Sequence, residues 1–156
     1  MKASEIMSSP AITITPETSI QSLTRLMREK QISGLPVVDA DGELLGVVTE
    51  LNLIARNAPV HEPHYLAVLS GLLPLGLTQY RDYKQQLRQV LATTAEQLMT
   101  TDIESVTPAT ELEDLVRLMA HPETILLPVL EANRVVGVVT RTDVVRLIEK
   151  LEMTSD

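Results

Sequence analysis

The sequence predicts an α/β (α+β) fold in which one β-α-β-β-α unit occurs twice, with a mostly helical insert between the copies. Three observations predict it: short motifs return at a constant spacing, each copy changes from helical to strand periodicity at equivalent points, and the apolar residues are almost all aliphatic. Of the 156 residues, 44% are hydrophobic, yet none is Phe or Trp. Aliphatic and β-branched side chains suit a sheet that is covered by helices.

Three motifs carry the repeat. They return after 92 or 91 positions: Thr-Pro-x-Thr at 15–18 and 107–110, Leu-Pro-Val at 35–37 and 127–129, and Gly-Val-Val-Thr at 46–49 and 137–140. The single deletion falls at Asp41-Gly42, a dipeptide that favours a tight turn, where a change of length costs little. The repeat divides the chain into a first copy at residues 1–57, an insert at 58–93 and a second copy at 94–156.

A helix is predicted after each Thr-Pro-x-Thr motif. Thr18-x-x-Gln21 and Thr110-x-x-Glu113 match the capping box, in which two side chains satisfy backbone amides of the first helical turn. The apolar residues that follow recur at helical spacing: Ile20, Leu23 and Met27 in the first copy, and Leu112, Leu115, Val116 and Met119 in the second. Each helix therefore has one apolar face that can pack on a core.

Paired strands and a further helix are predicted after this point in each copy. The strands are short β-branched runs at 35–38, 44–49, 126–130 and 135–140. Val144, Ile148 and Leu151 mark the further helix in the second copy, and residues 52–56 form a shorter version in the first. Both copies therefore have the same order of elements.

The insert has no repeat character. Its polar run at 79–91 and a third capping box, Thr94-x-x-Gln97, predict that most of it is helical. The apolar run at 69–77 is expected to contribute to a subunit interface. His61 and His64 flank a proline without the helical spacing or the third ligand of a zinc site, so no metal site is predicted there.

Composition argues against several classes of function. The net charge of −8 provides no basic field for nucleic acid or for an anionic membrane. The most apolar stretch is shorter than the roughly 20 residues of a membrane-spanning helix, and residues 1–10 lack the pattern of a secretory signal. The absence of Cys fits a reducing compartment. We therefore expect a cytoplasmic protein with no nucleic-acid or membrane partner.

The order of these motifs in duplicate, with Glu5-Ile6-Met7 before the first set, resembles the cystathionine β-synthase (CBS) domain, paired as in a Bateman module. The resemblance covers roughly residues 3–57 and 94–151 and leaves the insert unexplained. It implies two repeats that pack through their sheets about a pseudo-twofold axis and form clefts for adenosyl ligands. It also implies a homodimer that binds an adenine nucleotide (AMP, ADP or ATP), needs no cofactor and modulates a separate partner protein.

The stretch from Thr140 to Asp143 is the strongest candidate site, because there a strand ends at a helix N-terminus. Helix amides and the Thr140 hydroxyl can hold a phosphate, Arg141 can neutralise it, and Asp143 can accept hydrogen bonds from a ribose. The alternative is a fourth capping box, which requires no ligand, although both roles are compatible at one helix start.

The equivalent stretch of the first copy is Thr49 to Asn52, with Glu50 in place of the arginine. Asn52 can still bind a ribose, but Glu50 repels phosphate if it points inward, so we expect an asymmetric pair of sites. The resemblance places adenine against the residues before each Leu-Pro-Val strand: Ile32, Ser33 and Gly34 in the first copy, and Glu123, Thr124 and Ile125 in the second. The opening strands provide further hydroxyls that can line the clefts, although exposed strand threonine is common without a ligand: Thr13, Thr15, Ser105 and Thr107.

Two other functions remain open at this point. An enzyme acting on nucleotides has little support, because the chain lacks Cys, a Gly-rich phosphate loop and a spaced carboxylate cluster. A ligand-free interaction module would have structural capping boxes and empty clefts. The sequence does not discriminate among AMP, ADP, ATP, S-adenosylmethionine and a cyclic dinucleotide.

Overall fold

The structure, a computed structural model, describes residues 1–58, 65–68, 71–74 and 92–155. The helices in these ranges are α1 Ala3–Ile6, α2 Ile20–Lys30, α3 Glu50–Asn57, α4 Ala95–Leu98, α5 Leu112–Met119 and α6 Arg141–Thr154. The strands are β1 Gly34–Val38, β2 Leu44–Thr49, β3 Tyr65–Val68, β4 Gly71–Pro74, β5 Leu126–Glu131 and β6 Arg134–Thr140. The predicted mixture of helices and strands is confirmed, and the hairpin strands lie within two residues of their predicted bounds.

Each repeat is built around one antiparallel hairpin, β1–β2 in the first and β5–β6 in the second. The predicted opening strands are reduced to single parallel bridges, Ile14 with Val37 and Val106 with Val129. They stop there because the Thr-Pro-x-Thr motif folds back: the Thr18 amide donates to the Thr15 carbonyl at 3.1 Å. The hairpin turns differ as the deletion predicts, and the shorter turn places Ala132 and Asn133 at φ 51° and 63°.

The helices after the Thr-Pro-x-Thr motifs begin one residue later than the capping boxes predicted. The Thr18 hydroxyl instead accepts a hydrogen bond from the Thr15 amide at 3.2 Å and closes the turn. Ser19 therefore caps α2 and accepts from the Ser22 amide at 3.1 Å. Thr110 has the same turn-closing role, so Glu111 precedes α5.

The third predicted capping box is also displaced. Helix α4 begins at Ala95 as predicted, but the Gln97 side chain accepts from the Thr93 amide at 2.8 Å rather than from that of Thr94. The prediction of a mostly helical insert is wrong at residues 65–68 and 71–74, where β3 and β4 pair as antiparallel strands. The run at 79–91, most of the run at 69–77, and both His61 and His64 lie outside the described residues.

Two apolar cores, one in each repeat, hold the described elements together. The first contains Leu23, Leu35, Val37, Val48, Ala95 and Leu98, and the second contains Ala3, Leu115, Leu127, Val129, Val139 and Val144. Ala95 and Leu98 come from α4 at the start of the second copy, whereas Ala3 comes from α1 at the start of the first. Each repeat therefore receives its short N-terminal helix from the other repeat, which makes the two cores interdependent.

The exchanged segments explain the glycine of each Gly-Val-Val-Thr motif. The chain after α4 crosses β2, where Thr100 forms a bridge with Val47, and the chain after α1 crosses β6 in the same way at Ser8 and Val138. A Cβ atom on Gly46 would lie 2.9 Å from the Thr100 carbonyl oxygen. Only glycine permits this approach. The two crossings are equivalent, and the repeats pack through their sheets about a pseudo-twofold axis.

Candidate functional site

A cavity of about 620 Å³ opens between the two repeats. The first repeat contributes Thr49, Asn52 and Ala55 from the end of β2 and from α3. The second repeat contributes Thr124 and Ile125 from the segment before β5, together with Thr100 and its successors. Its volume lies within the range of about 300–1,000 Å³ that is usual for small-molecule sites. The cavity therefore brings together the candidates for ribose binding in the first copy, Thr49 and Asn52, and the candidates for adenine binding in the second copy, Thr124 and Ile125.

The start of α3 fixes one wall of this cavity. The Asn52 carbonyl oxygen, Oδ1, accepts hydrogen bonds from the Thr49 amide at 2.8 Å and from the Thr49 hydroxyl at 3.2 Å. The Asn52 amide nitrogen, Nδ2, donates to the Thr100 hydroxyl at 3.0 Å. Thr49 and Asn52 are half-buried, and the crossing segment after α4 holds them in a defined orientation.

The second repeat forms the other wall, and all the charged side chains among the described lining residues come from it. Asp102, Glu104 and Glu123 contribute carboxylates, and Arg117 contributes a guanidinium. An Arg117 Nη1 atom lies 2.8 Å from a carboxylate oxygen of Asp114, so this cation is already paired. His121 lies on the same wall. Among the described residues, the lining is therefore acidic overall.

The equivalent stretch of the second repeat has the predicted capping box. Asp143 is 9% exposed, and its Oδ2 atom accepts from the Thr140 amide and the Thr140 hydroxyl, each at 2.9 Å. Its other oxygen lies 3.6 Å from Nη1 of Arg146. Asp143 lines a second cavity of only about 210 Å³, together with Arg146 and Lys150. The larger cavity therefore lies beside Asn52 and not beside Asp143.

Arg141 is engaged with the loop that precedes β5. Its Nε atom donates to the Thr124 carbonyl at 2.8 Å, and its Nη2 atom donates to the carbonyls of His121 at 2.9 Å and Pro122 at 2.8 Å. These three hydrogen bonds fasten the segment that contributes His121 and Thr124 to the larger cavity. In this structure the guanidinium supports a cavity wall, and its contact with a phosphate stays a prediction.

Four other candidates, Ser33, Gly34, Thr15 and Thr107, line neither the larger cavity nor the cavity beside Asp143. The Ser33 carbonyl accepts the Glu50 amide at 2.9 Å, and the Leu126 side chain packs against the position where Gly34 lacks a Cβ. Thr15 and Thr107 direct their hydroxyls to Thr18 and Thr110, at 3.2 Å and 3.3 Å. Packing and turn formation account for the positions of these four residues.

Sequence reasoning did not identify several lining residues, namely Thr100, Asp102, Glu104, Arg117 and His121. The first three follow α4 and reach the cavity only because that segment crosses to the other repeat. Arg117 lies on α5 and His121 follows the end of that helix, and no motif of the sequence marked either position.

No group of three or more His, Cys, Asp or Glu side chains in the described ranges is arranged to hold a metal ion. Among the helices described here, none combines the length and apolar character required to cross a membrane.

Comparisons with known proteins agree with this fold. The CBS domain family model matches residues 3–58 and 95–150. The protein MJ1426 of Methanocaldococcus jannaschii is 27% identical over 154 residues, which cover 95% of this chain and 91% of that protein. The structure of CBSX2 in complex with AMP is 25% identical with a TM-score of 0.78, and the match covers 96% of this chain and 97% of that one.

Two further relatives share the fold over nearly the whole of this chain or most of it. The chain spans 56% of the length of the full chloroplastic CBSX2 protein of Arabidopsis thaliana, to which it is 28% identical over 85% of its own residues. The CBS domain pair of MJ0100, solved with 5′-methylthioadenosine and S-adenosylmethionine, shares the fold at 22% identity, a TM-score of 0.70 and coverage of 96% and 97%. The chain belongs to the CBS domain family and contains two CBS domains in tandem.

Proposed function

We propose that the protein is a regulatory module that binds an adenosine-type nucleotide in the cavity between its two CBS domains and thereby modulates a separate partner protein. One observation carries the proposal: the cavity of about 620 Å³ joins Thr49 and Asn52 of one domain to Thr124 and Ile125 of the other. A related CBS pair of 25% identity was solved with AMP, which supports the same ligand class here.

In this proposal the two walls of the cavity bind different parts of the ligand. Asn52 and the Thr49 hydroxyl bind the ribose, since an amide and a hydroxyl can serve both as donor and as acceptor to vicinal hydroxyls. Ile125, Ala55 and the backbone near Thr124 enclose the adenine, because apolar side chains and backbone groups dominate the lining of small-molecule sites. A ligand that bridges two domains alters how they pack, and this change in packing is the signal that a partner reads.

Thermal unfolding with AMP tests this function. Because AMP binds the native state selectively, we expect it to add about 2.7 kcal/mol to the free energy of unfolding at 100 times its Kd. The protein must first be freed of co-purified nucleotide, which its absorbance ratio at 260 and 280 nm reports. Absence of stabilisation by AMP, ADP and ATP alike would favour a ligand-free interaction module instead, whereas sustained turnover of nucleotide would indicate an enzyme.

A homodimer is part of the proposal, and exposed apolar side chains on two helices support it. Ile54 of α3 and Val145 of α6 occupy equivalent positions, and each leaves 65% of its surface exposed. Ile148 and Leu151 of α6 are also exposed, at 44% and 45%. Contiguous apolar patches on a small protein mark interaction sites, and a second copy of the chain offers a self-complementary partner. A cytoplasmic location also stays a prediction.

Sedimentation velocity of Val145→Glu tests the dimer. A charge placed in an apolar interface is expected to raise the dimer dissociation constant at least about tenfold, because it loses its water without gaining a partner. Ile12→Glu, which changes an apolar residue that is 38% exposed elsewhere, is the control and should remain dimeric. A native protein that sediments as a monomer, or a Val145→Glu protein that remains dimeric, contradicts the dimer.

A further inference from the structure

The charges around the larger cavity are unfavourable for a ligand with several phosphates. Asp102, Glu104 and Glu123 line it, and Arg117 is the single Lys or Arg among its described lining residues. Arg117 already lies 2.8 Å from Asp114. Within the described part of the chain, each phosphate added to a ligand therefore approaches three carboxylates, and the guanidinium of Arg117 is shared with a fourth, that of Asp114.

The usual anchor for phosphate, a helix N-terminus, is also weakened at this cavity. Helix α3 begins with Glu50, which adds a negative charge to its first turn. The Glu50 amide is not free for a ligand, because it donates to the Ser33 carbonyl at 2.9 Å. The Thr49 amide is also engaged, because it donates a hydrogen bond to Asn52 Oδ1. Two of the amides nearest to a bound ribose are thus engaged within the protein.

Arg141, the cation in the second copy of the motif, does not offset the negative charge of the cavity lining. Arg141 directs its donors to the carbonyls of His121, Pro122 and Thr124 and is not among the residues that line the cavity. The loop that these hydrogen bonds fasten carries four of the lining residues: His121, Glu123, Thr124 and Ile125. Recruiting Arg141 to a phosphate would therefore release part of the cavity wall.

We propose that this cavity selects its adenosyl ligand by charge and takes ligands with at most one phosphate. This inference rests on the proposed function and narrows it. Adenosine-like ligands such as 5′-methylthioadenosine bind at least as tightly as AMP, and affinity then falls from AMP to ADP to ATP. The lining carboxylates are exposed, so solvent and salt screen the repulsion without removing it.

Isothermal titration calorimetry with 5′-methylthioadenosine, AMP, ADP and ATP tests the selection. The buffer contains no divalent cation, because a metal bound to ATP would mask its charge, and the salt is kept at about 50 mM so that screening is weak. We expect ATP to bind at least about tenfold more weakly than AMP, since roughly two more charges approach three carboxylates at a separation of several ångströms.

A matched pair of variants identifies the source of the selection. Glu104→Gln with Glu123→Gln removes two lining carboxylates, and we expect the ratio of AMP to ATP affinity to fall below about threefold. Glu17→Gln with Glu113→Gln makes the same change in net charge at exposed residues outside the lining and should leave the ratio unchanged.

Three outcomes contradict the selection. ATP that binds the native protein as tightly as AMP overturns the selection and leaves the proposed function standing. If both double variants change the ratio of AMP to ATP affinity equally, the selection arises from the net charge of the protein, and the role of the cavity lining is overturned. Failure of all four ligands to bind overturns the proposed function itself.

Discussion

Ala55→Phe is expected to lower the affinity for AMP by on the order of 100-fold, which corresponds to about 2.8 kcal/mol of binding free energy. Ala55 lies on α3 and lines the cavity between Asn52 and the second domain. A phenyl ring at this position projects into open space and takes volume that the ligand requires. The fold should tolerate the ring, because a cavity of about 620 Å³ has room for it.

Calorimetry with AMP measures this effect, and circular dichroism confirms that the variant is folded. Ala40→Phe is the matched control: Ala40 is exposed, precedes the turn at Asp41 and Gly42, and lies outside the cavity lining. The control should bind AMP as the native protein does. Undiminished AMP binding by a folded Ala55→Phe protein would place the ligand somewhere other than this cavity.

Leu127→Ala is expected to destabilise the protein by about 2–5 kcal/mol, because truncation of a fully buried leucine removes apolar contacts and leaves a cavity. Leu127 is 0% exposed and packs with Val129, Val139 and Ala3 in the second core. Leu35→Ala in the first core should have a similar effect, since Leu35 is the equivalent residue and is also 0% exposed.

Urea unfolding followed by circular dichroism tests both substitutions against Leu45→Ala, where 38% of the residue is already exposed and the loss should be under about 1 kcal/mol. Exchange of α1 and α4 between the repeats makes each core depend on both, so we also expect a single transition. Two separate transitions, one of them unchanged by Leu127→Ala, would show that the repeats unfold independently.

Local periodicity predicted most of the secondary structure, whereas contacts between the repeats were not predictable. The strands at 34–38, 44–49, 126–131 and 134–140 follow from β-branched runs on either side of turns. The starts of α2 and α5 were misplaced by one residue because the hydroxyls of Thr18 and Thr110 can close a turn or cap a helix, and the sequence does not show which one forms.

The exchange of α1 and α4 had no signal in a single sequence, because each helix is four residues long and packs on the distant copy. This limit also applies to the site. Thr49, Asn52, Thr124 and Ile125 were found from motif positions, and the structure brings them together. Asp102 and Glu104 were missed because they reach the cavity only through the crossing after α4.

Sequence and structure favour different copies of the motif as the nucleotide site. The presence of Arg141 and Asp143 favoured the second copy as the nucleotide site. The cavity volumes, about 620 Å³ beside Asn52 and about 210 Å³ beside Asp143, favour the first. The hydrogen bonds of Arg141 explain this difference. Its side chain donates to three carbonyls and so supports the wall of the larger cavity, which leaves those donors unavailable to a phosphate beside Asp143.

A crystal structure of the protein with AMP at a saturating concentration tests the central claim most directly. We expect AMP in the larger cavity, with its ribose next to Thr49 and Asn52 and its adenine next to Thr124 and Ile125. AMP found only beside Thr140 and Asp143, or an empty larger cavity at a concentration that saturates binding in solution, would contradict this account.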